Sequence, residues 1–331
     1  MDAPATNRLL AAENADGDDI SRKWAADNQQ WWDWYMSLAV NAEPAPQRLL
    51  PTPPWPDLAR PSPSAHQEAL DAPYDLAAEE IVRFQRDGYV KIEGLLDPAG
   101  LLSLRDDLSV MLTERVAGAA DLGFPSLEMV WEHHEPTRAY VFSRRLARVA
   151  AELLGVDGVR LYHDNVLSKN PGCGRTPWHY DAHHYPIDHA DVVTAWFPLQ
   201  PLPVEMGPLV FALGMDVYKD IERLPFDKHG DNYDRTIMDY LREHEVPCDG
   251  AAYALGEVSF HHAFSMHSAG PNHYDTERMA IAITYFVDGA RLLQAPTMIS
   301  GDYEKFMPGV KPGDIIDSPL NPVLYARASD A

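Results

Sequence analysis

The chain has 331 residues, two cysteines and a formal net charge of −23. The negative charge disfavours partners that are themselves anionic, such as nucleic acids and acidic membrane surfaces. Two cysteines are too few for a disulfide framework, the N-terminus lacks the basic and apolar segments of a secretory signal, and no apolar run reaches the ~18 residues of a membrane helix. We therefore expect a cytoplasmic protein that binds neither nucleic acid nor membrane.

The first 75 residues differ in composition from the rest of the chain. Within residues 1–43, a helical pattern runs from Ile20 to Val40. Its shared apolar face consists of Trp24, Trp31, Tyr35 and Leu38. Residues 44–75 begin with eight prolines between positions 44 and 63 and predict a stiff, extended connector to a main domain at residues 76–331. The aromatic helix can pack on that domain, cover its site or join two copies in a homodimer.

The main domain begins with alternating helices and strands. Periodicity predicts helices over residues 76–86, 98–115 and 146–154, and strands over residues 89–92 and 159–169. Asp97 and Pro98 support the second helix as its N-cap and first residue, and Gly155 supports the end of the third. Residues 116–135 predict irregular structure. In the strand over 159–169, the residues that share one face are His163, Asn165, Leu167 and Lys169.

Residues 217–244 interrupt the strand pattern in the second half of the chain. Two short predicted helices, over residues 218–223 and 234–243, flank a polar loop at residues 228–232. Binding residues commonly lie on such loops, so we expect this insertion to cover the mouth of the site.

His179 and Asp181 lie in a stretch rich in aromatic and β-branched residues, a composition typical of a strand. On a strand, residues i and i+2 leave from the same face, so the two side chains are predicted to project together. An imidazole beside a carboxylate provides two of the three ligands of the facial triad that holds non-haem Fe(II). The rest of the chain must then supply a second histidine.

His267 is the best candidate for that histidine. It precedes a Gly-Pro-Asn turn, and Arg278 opens an apolar run eleven residues later, which leaves room for a turn and a return strand. A buried arginine there requires an anion, and its planar fork suits a carboxylate. His261 and His262 also lie nearby, but Arg278 follows them by 17 and 16 residues, which is long for one turn and return strand.

These motifs together resemble the phytanoyl-CoA dioxygenase family of Fe(II)/2-oxoglutarate oxygenases. The stretches that carry the resemblance are Gly88–Leu96, Lys169–Gly172, His179–Asp181, Gly207–Gly214 and His267–Arg278. The resemblance covers about residues 76 to 325. It implies a mainly β fold with flanking helices around a double-stranded β-helix, also called a jelly-roll or cupin-like core. The chain departs from the family pattern at Met215, Asp216, Ala269 and Met279.

The resemblance also implies roles for individual residues. His179, Asp181 and His267 would hold Fe(II), and Arg278 would bind the far carboxylate of the cosubstrate 2-oxoglutarate. Lys169 and Trp196 resemble residues that contact 2-oxoglutarate. Candidate substrate contacts are His163, Asn165, His183 and Tyr185. The implied reaction uses O2, converts 2-oxoglutarate to succinate and CO2, and removes hydrogen from a C–H bond of the substrate.

Hydroxylation of a small-molecule metabolite, of the kind that tailors natural products in secondary metabolism, is the expected outcome. Halogenating relatives lack the carboxylate ligand, so Asp181 disfavours halogenation. Desaturation, epimerisation and cyclisation use the same oxidant and stay open as alternatives. Two other classes also stay open: a cupin-type metalloprotein that uses no 2-oxoglutarate, which Arg278 disfavours, and a non-catalytic binding protein, which the complete triad disfavours.

Overall fold

The described part of the chain, in a computed structural model, comprises residues 48–116, 118, 123–223, 232–294 and 303–327. Its α-helices are α1 (Pro63–Asp71), α2 (Ala78–Asp87), α3 (Pro98–Arg115), α4 (Glu135–Val141), α5 (Arg144–Leu154), α6 (Val217–Ile221), α7 (Asn232–Glu243) and α8 (Tyr303–Phe306). Its strands are β1 (Tyr89–Ile92), β2 (Ser126–Glu128), β3 (Gly158–Lys169), β4 (Thr176–His179), β5 (Val192–Pro198), β6 (Leu209–Ala212), β7 (Cys248–Asp249), β8 (Val258–His262), β9 (His267–Ala269), β10 (Arg278–Val287) and β11 (Val323–Ala326). The predicted aromatic helix at residues 20–40 and the predicted loop, apart from residue 232, lie outside these ranges. None of these helices is long and apolar enough to cross a membrane.

The strands form two antiparallel sheets. The larger sheet has the order β1-β8-β5-β10-β3-β11, with β2 also paired to β3, and the smaller sheet has the order β4-β9-β6-β7. Apolar side chains from both sheets pack together between them. Tyr89 of the larger sheet stacks on Phe211 of the smaller one, with ring centroids 4.0 Å apart. This architecture confirms the expected double-stranded β-helix core with flanking helices.

Strand β10 lies inside the larger sheet, between β5 and β3. Ile281 and Ile283 on one face pack into the apolar core that the sheet shares with helices α1 to α5. Arg278, Ala282 and Thr284 on the other face line a cavity between the sheets. Because alanine and threonine are small, this face of β10 leaves space beside the arginine.

Strand β3 likewise has two different faces. His163 and Asn165 line the cavity, whereas Asp164 is buried on the opposite side. Its Oδ2 accepts a hydrogen bond of 3.1 Å from the backbone N–H of Val130, at the start of a short 3-10 helix. Its Oδ1 has no hydrogen-bond partner among the described residues. Burial raises the pKa of Asp164 to about 7.

The predicted helices and strands of the first half agree with the structure to within two residues at each end. Two regions differ. The predicted connector at residues 44–75 contains helix α1, because Ser62 caps its N-terminus and Pro63 occupies its first turn, where proline is tolerated. Residues 116–135, predicted as irregular, contain β2 and the 3-10 helix Val130–Glu132, both held by strand β3.

Residues 48–62 run along the main domain without regular secondary structure, except for one bridge. Leu50 forms a parallel bridge with Tyr274. The backbone N–H and the hydroxyl of Thr52 both donate to Oδ1 of Asp275, over 2.9 and 2.7 Å. These contacts attach the N-terminal segment to the loop at residues 270–277, which joins β9 to β10.

A further contact of the same segment reaches the start of β10. The ring of Trp55 lies 4.0 Å from the guanidinium carbon of Arg105 on helix α3. Arg105 in turn forms a 2.7 Å ion pair with Glu277, the residue immediately before Arg278. Residues 48–62 therefore support, through Arg105 and Glu277, the segment that leads into Arg278.

Candidate functional site

Two histidines face each other where β4 pairs with β9. His179 ends β4, His267 begins β9, and the two residues are direct partners across the ladder. Asp181 completes a group in which one ligand atom of each residue lies within 4.8 Å of those of the other two. Oδ1 of Asp181 is 3.7 Å from Nε2 of both histidines. These three residues could hold a metal ion.

The strand predicted to carry both His179 and Asp181 ends earlier than expected, at His179. Tyr180 remains extended, with φ −131° and ψ 145°, and Asp181 begins a 3-10 helix that ends at His184. The two side chains still project to the same side because the one residue between them is extended. The early end of the strand therefore changes the element but not the alignment of the ligands.

Backbone carbonyls orient both imidazoles. Nδ1 of His179 lies 2.9 Å from the carbonyl oxygen of Pro177, and Nδ1 of His267 lies 3.0 Å from that of Ser265. A carbonyl only accepts, so each Nδ1 carries the proton and donates it, which places the lone pair that can bind a metal on Nε2. The two rings, with centroids 4.2 Å apart, are thus held in the tautomer that a metal ligand requires.

Burial sets the charges of the three groups. It lowers the pKa of His179 and His267, so both rings are neutral near pH 7. Burial alone would raise the pKa of Asp181, but a hydrogen bond from the neighbouring His261 side chain helps to hold that pKa below its usual range, so Asp181 is a carboxylate. Two neutral nitrogens and one carboxylate oxygen match the donor set of the 2-His-1-carboxylate triad for non-haem Fe(II).

Arg278 lies in the same cavity and is 1% exposed. Its Nε and Nη1 atoms have no hydrogen-bond acceptor among the described residues. Burial lowers its pKa to about 10, so the group is still charged at neutral pH. A buried guanidinium with unused donors fits a carboxylate ligand, because such an anion satisfies charge and hydrogen bonds together.

The comparison with protein families agrees with this geometry. Residues 84–280 match the family model of phytanoyl-CoA dioxygenase (PhyH). The chain belongs to the phytanoyl-CoA dioxygenase family. As a member of that family it is an iron- and 2-oxoglutarate-dependent oxygenase, and the triad and Arg278 are residues that fit iron and 2-oxoglutarate respectively.

Three proteins that are similar to this member of the phytanoyl-CoA dioxygenase family are each distant from it in sequence. A probable alpha-ketoglutarate-dependent hypophosphite dioxygenase of Stutzerimonas stutzeri is 23% identical over 251 residues, which are 70% of this chain and 85% of the relative. The carbocyclase SnoK from nogalamycin biosynthesis has a TM-score of 0.63 at 24% identity, over 76% of this chain and 99% of SnoK. The epimerase SnoN, in complex with Fe3+, alpha ketoglutarate and nogalamycin RO, has a TM-score of 0.59 at 25% identity, over 74% of this chain and 97% of SnoN.

The two further cosubstrate residues suggested by the family resemblance lie in different places. Trp196 lines the cavity, and its ring centre is 5.6 Å from the guanidinium carbon of Arg278. Lys169 is fully buried opposite Arg278 in the β3–β10 ladder. Its ammonium donates to the carbonyl oxygens of Gly174 and Gly270, over 2.9 and 2.7 Å. Lys169 therefore binds backbone carbonyls in the structure.

Three of the four predicted substrate contacts, His163, Asn165 and Tyr185, line the cavity. The side chain of His183 is not among those that the structure describes. Its neighbour His184 also lines the cavity, and burial lowers the pKa of His184 to about 4, so this ring is neutral near pH 7. The structure thus brings the metal triad, Arg278 and Trp196 around one cavity of ≈ 190 Å³, together with His163, Asn165 and Tyr185.

Several cavity residues were not predicted as site residues from the sequence. They are Phe124, Glu128, Tyr162, Thr194, His261, Thr284, Tyr303, Lys305 and Phe306, among others. Thr284 could have been found, because it is six residues after Arg278 on the same strand and therefore on the same face. Lys305 pairs with Glu128 across the cavity wall, and no local pattern in the sequence indicates that contact.

Proposed function

We propose that this protein hydroxylates an unactivated C–H bond of a small-molecule metabolite, as in the tailoring of natural products. The observation that carries the proposal is the position of Asp181, whose Oδ1 faces both histidines of the triad. With His179, Asp181 and His267 as iron ligands, the carboxylate occupies the place that a halide would need. Iron and 2-oxoglutarate, once bound, supply with O2 the oxidant that removes hydrogen from the substrate carbon.

Aromatic residues beyond the triad support a small apolar or ring-bearing substrate. The ring of Phe306 lies 5.4 Å from Tyr162 and 4.9 Å from His163, and Tyr162 meets Tyr185 edge-on at 4.7 Å. All four residues line the cavity. Such walls favour the stacking of a ring or an alkyl group of comparable size.

Two polar atoms on this wall add a requirement for hydrogen bonding. Oδ1 of Asn165 and Nδ1 of His163 are buried and have no partner within the described ranges. Burial lowers the pKa of His163, so its ring is neutral and one nitrogen can accept a hydrogen bond. A substrate with a hydroxyl or N–H group beside its apolar body would satisfy such an acceptor and fix which carbon faces the iron.

Other residues that line the cavity orient the cosubstrate and the substrate in this proposal. Arg278 holds the far carboxylate of 2-oxoglutarate, and Trp196 provides the apolar wall beside it. Lys305 is neutralised by Glu128 at the substrate end of the cavity, which favours an uncharged substrate over an acyl-CoA or another polyanion. His163, Asn165 and Tyr185 then orient the substrate.

Isotope labelling tests the reaction type once a substrate has been found by screening a metabolite panel for succinate release. Under ¹⁸O2 we expect a product with one added oxygen, derived from O2 and unaffected by chloride. A chlorinated product would contradict the ligand role of Asp181. A product lighter by two hydrogens would indicate desaturation or ring closure at the same iron site.

Epimerisation is a second candidate, because a chain of hydroxyl groups leads from Tyr185 to Asp181. Tyr185 Oη lies 3.3 Å from Thr284 Oγ1, Thr284 lies 3.0 Å from Thr194 Oγ1, and Thr194 donates to Oδ2 of Asp181 over 3.4 Å. Burial raises the pKa of Tyr185 well above its ordinary value, so the phenol keeps its hydrogen. Tyr185 could therefore return a hydrogen atom to the substrate carbon.

The two reactions give different products in D2O with ascorbate as reductant. Epimerisation consumes two electrons from the reductant, incorporates one solvent deuterium at carbon and no ¹⁸O, and should stop in Tyr185→Phe. Hydroxylation incorporates ¹⁸O without deuterium at carbon, and Tyr185→Phe should retain it.

A further inference from the structure

The two oxygens of Asp181 lie in different surroundings. Oδ1 is 3.7 Å from Nε2 of both His179 and His267. Oδ2 instead faces Nε2 of His261 at 3.4 Å and the hydroxyl of Thr194 at 3.4 Å. One oxygen is thus directed to the metal-ligating nitrogens, and the other lies beside two side chains that can donate hydrogen bonds.

His261 is held in place by its strand. It is 2% exposed on β8, where its backbone is paired with Tyr89 of β1 on one side and Thr194 of β5 on the other. Its ring lies 5.5 Å from Phe211 and 4.6 Å from His267. Because β8 is paired on both sides, the imidazole has little freedom to move away from Asp181.

The proton of His261 can be assigned from its surroundings. Nδ1 is buried and has no hydrogen-bond partner among the described residues. Nε2 faces a carboxylate oxygen, which can only accept. Of the two nitrogens, Nε2 is therefore the one that can donate an N–H to an acceptor. Oδ2 of Asp181 then receives N–H and O–H donors from His261 and Thr194.

We propose that His261 is a positioning residue for the iron site, which donates from Nε2 to Oδ2 of Asp181 and so restricts Asp181 to one ligating oxygen, Oδ1. This inference rests on the proposed role of Asp181 as an iron ligand. A carboxylate that turned to bind through both oxygens would occupy one more coordination position, which the cosubstrate or O2 needs. Removing a residue that hydrogen-bonds to a metal ligand typically lowers metal affinity ten- to a hundredfold.

The alternative role for His261 is a fourth metal ligand. The geometry favours the positioning role, since Nε2 faces Oδ2 and not the Oδ1 that the two other histidines share. Within the described residues, the group of mutually close ligand atoms also comprises only His179, Asp181 and His267. The test below separates the two roles.

Co(II), which is stable in air, is the probe for metal affinity by isothermal titration calorimetry. In His261→Phe, which keeps a ring but has no N–H, we expect the Co(II) dissociation constant to rise about ten- to a hundredfold. In His261→Gln, whose amide can still donate, we expect it to stay within about fivefold of the parent protein. His262→Phe is the matched control on the same strand, because His262 packs against Phe84 and Phe264 away from Asp181, and it should leave the constant unchanged.

Each deviation from this pattern would overturn the positioning role. An unchanged Co(II) dissociation constant in His261→Phe would remove His261 from the site. An equal loss of Co(II) affinity in His261→Phe and His261→Gln would make His261 a metal ligand. Should His261→Phe not fold, ¹⁵N NMR of the Zn(II)-loaded parent protein decides, with the His261 signals identified from their absence in His261→Gln. A proton on Nε2 supports the proposal, and a proton on Nδ1 refutes it. If the parent protein itself bound no Co(II), the proposed function would fail instead.

Discussion

Replacing Arg278 by methionine should have two effects of opposite sign. It should weaken 2-oxoglutarate binding, because the far carboxylate loses its guanidinium partner. It should also stabilise the protein in the absence of 2-oxoglutarate, because the guanidinium is 1% exposed and its Nε and Nη1 have no acceptor among the described residues. Methionine removes that buried charge and fills much of the same space.

The size of both effects follows from the burial of Arg278. Its pKa falls from 12.5 to about 10, and at ~1.36 kcal/mol per pKa unit this corresponds to a cost of about 3 kcal/mol for the charged form. Because the folded pKa lies below the unfolded one, that cost is complete at every pH below about 10. For binding, removing one partner of a buried charge pair costs about 2–5 kcal/mol, so the 2-oxoglutarate dissociation constant should rise about thirtyfold or more.

Thermal unfolding and calorimetric titration with 2-oxoglutarate measure the two effects separately. Arg105→Met is the matched control, since Arg105 is also buried but has an ion-pair partner in Glu277 at 2.7 Å. That substitution leaves the Glu277 carboxylate without its ion-pair partner and should lower the melting temperature, whereas Arg278→Met should raise it by a few degrees. A melting temperature that fell in Arg278→Met would show that the guanidinium is already satisfied without an anion. An unchanged 2-oxoglutarate constant would remove Arg278 from the cosubstrate site.

Two further predictions concern the triad and the core. His267→Ala should abolish iron binding and turnover, whereas His262→Ala should retain both; the reverse result in metal titrations would mean that the distal ligand is His262. Asp164 has a folded pKa of about 7, raised from 3.8, so its contribution to stability is complete below about pH 4 and is lost as the pH rises through 7. Asp164→Asn should therefore flatten the fall in melting temperature between pH 5 and 8 and make the protein more stable at pH 8. The slope that Asp164 adds to the free energy of unfolding is at most ~1.4 kcal/mol per pH unit. Identical pH profiles of the melting temperature in the two proteins would contradict this reasoning.

The metal triad and most of the elements could be predicted from local sequence signals. His179 and Asp181 are two residues apart, and the turn after His267 is followed by an apolar run that marks a return strand beginning at Arg278. Helix boundaries followed from caps such as Asp97, whose side chain does accept from the backbone N–H of Gly100. Each of these features depends on neighbours within about a dozen residues, which the sequence displays directly.

The features that escaped prediction depend on strand register and on distant contacts. His261 and His262 are adjacent in the sequence, and only the pairing of β8 with β1 and β5 decides that His261 faces Asp181. Lys305 meets Glu128 from a position 177 residues further along the chain. The contact of Lys169 with 2-oxoglutarate, which the family resemblance implies, stays a prediction, whereas its hydrogen bonds to Gly174 and Gly270 depend on how two loops close around it.

The attachment of residues 48–62 has a consequence for the cosubstrate. Leu50 and Thr52 bind the loop at residues 270–277, and that loop separates the strand of His267 from the strand of Arg278. An enzyme fragment trimmed to residues 76–331 would lose these contacts although it kept every proposed catalytic residue. Binding energies at linked sites are reciprocal. If a partner that binds the N-terminal segment changes the affinity for 2-oxoglutarate, then 2-oxoglutarate changes the affinity for that partner by the same factor.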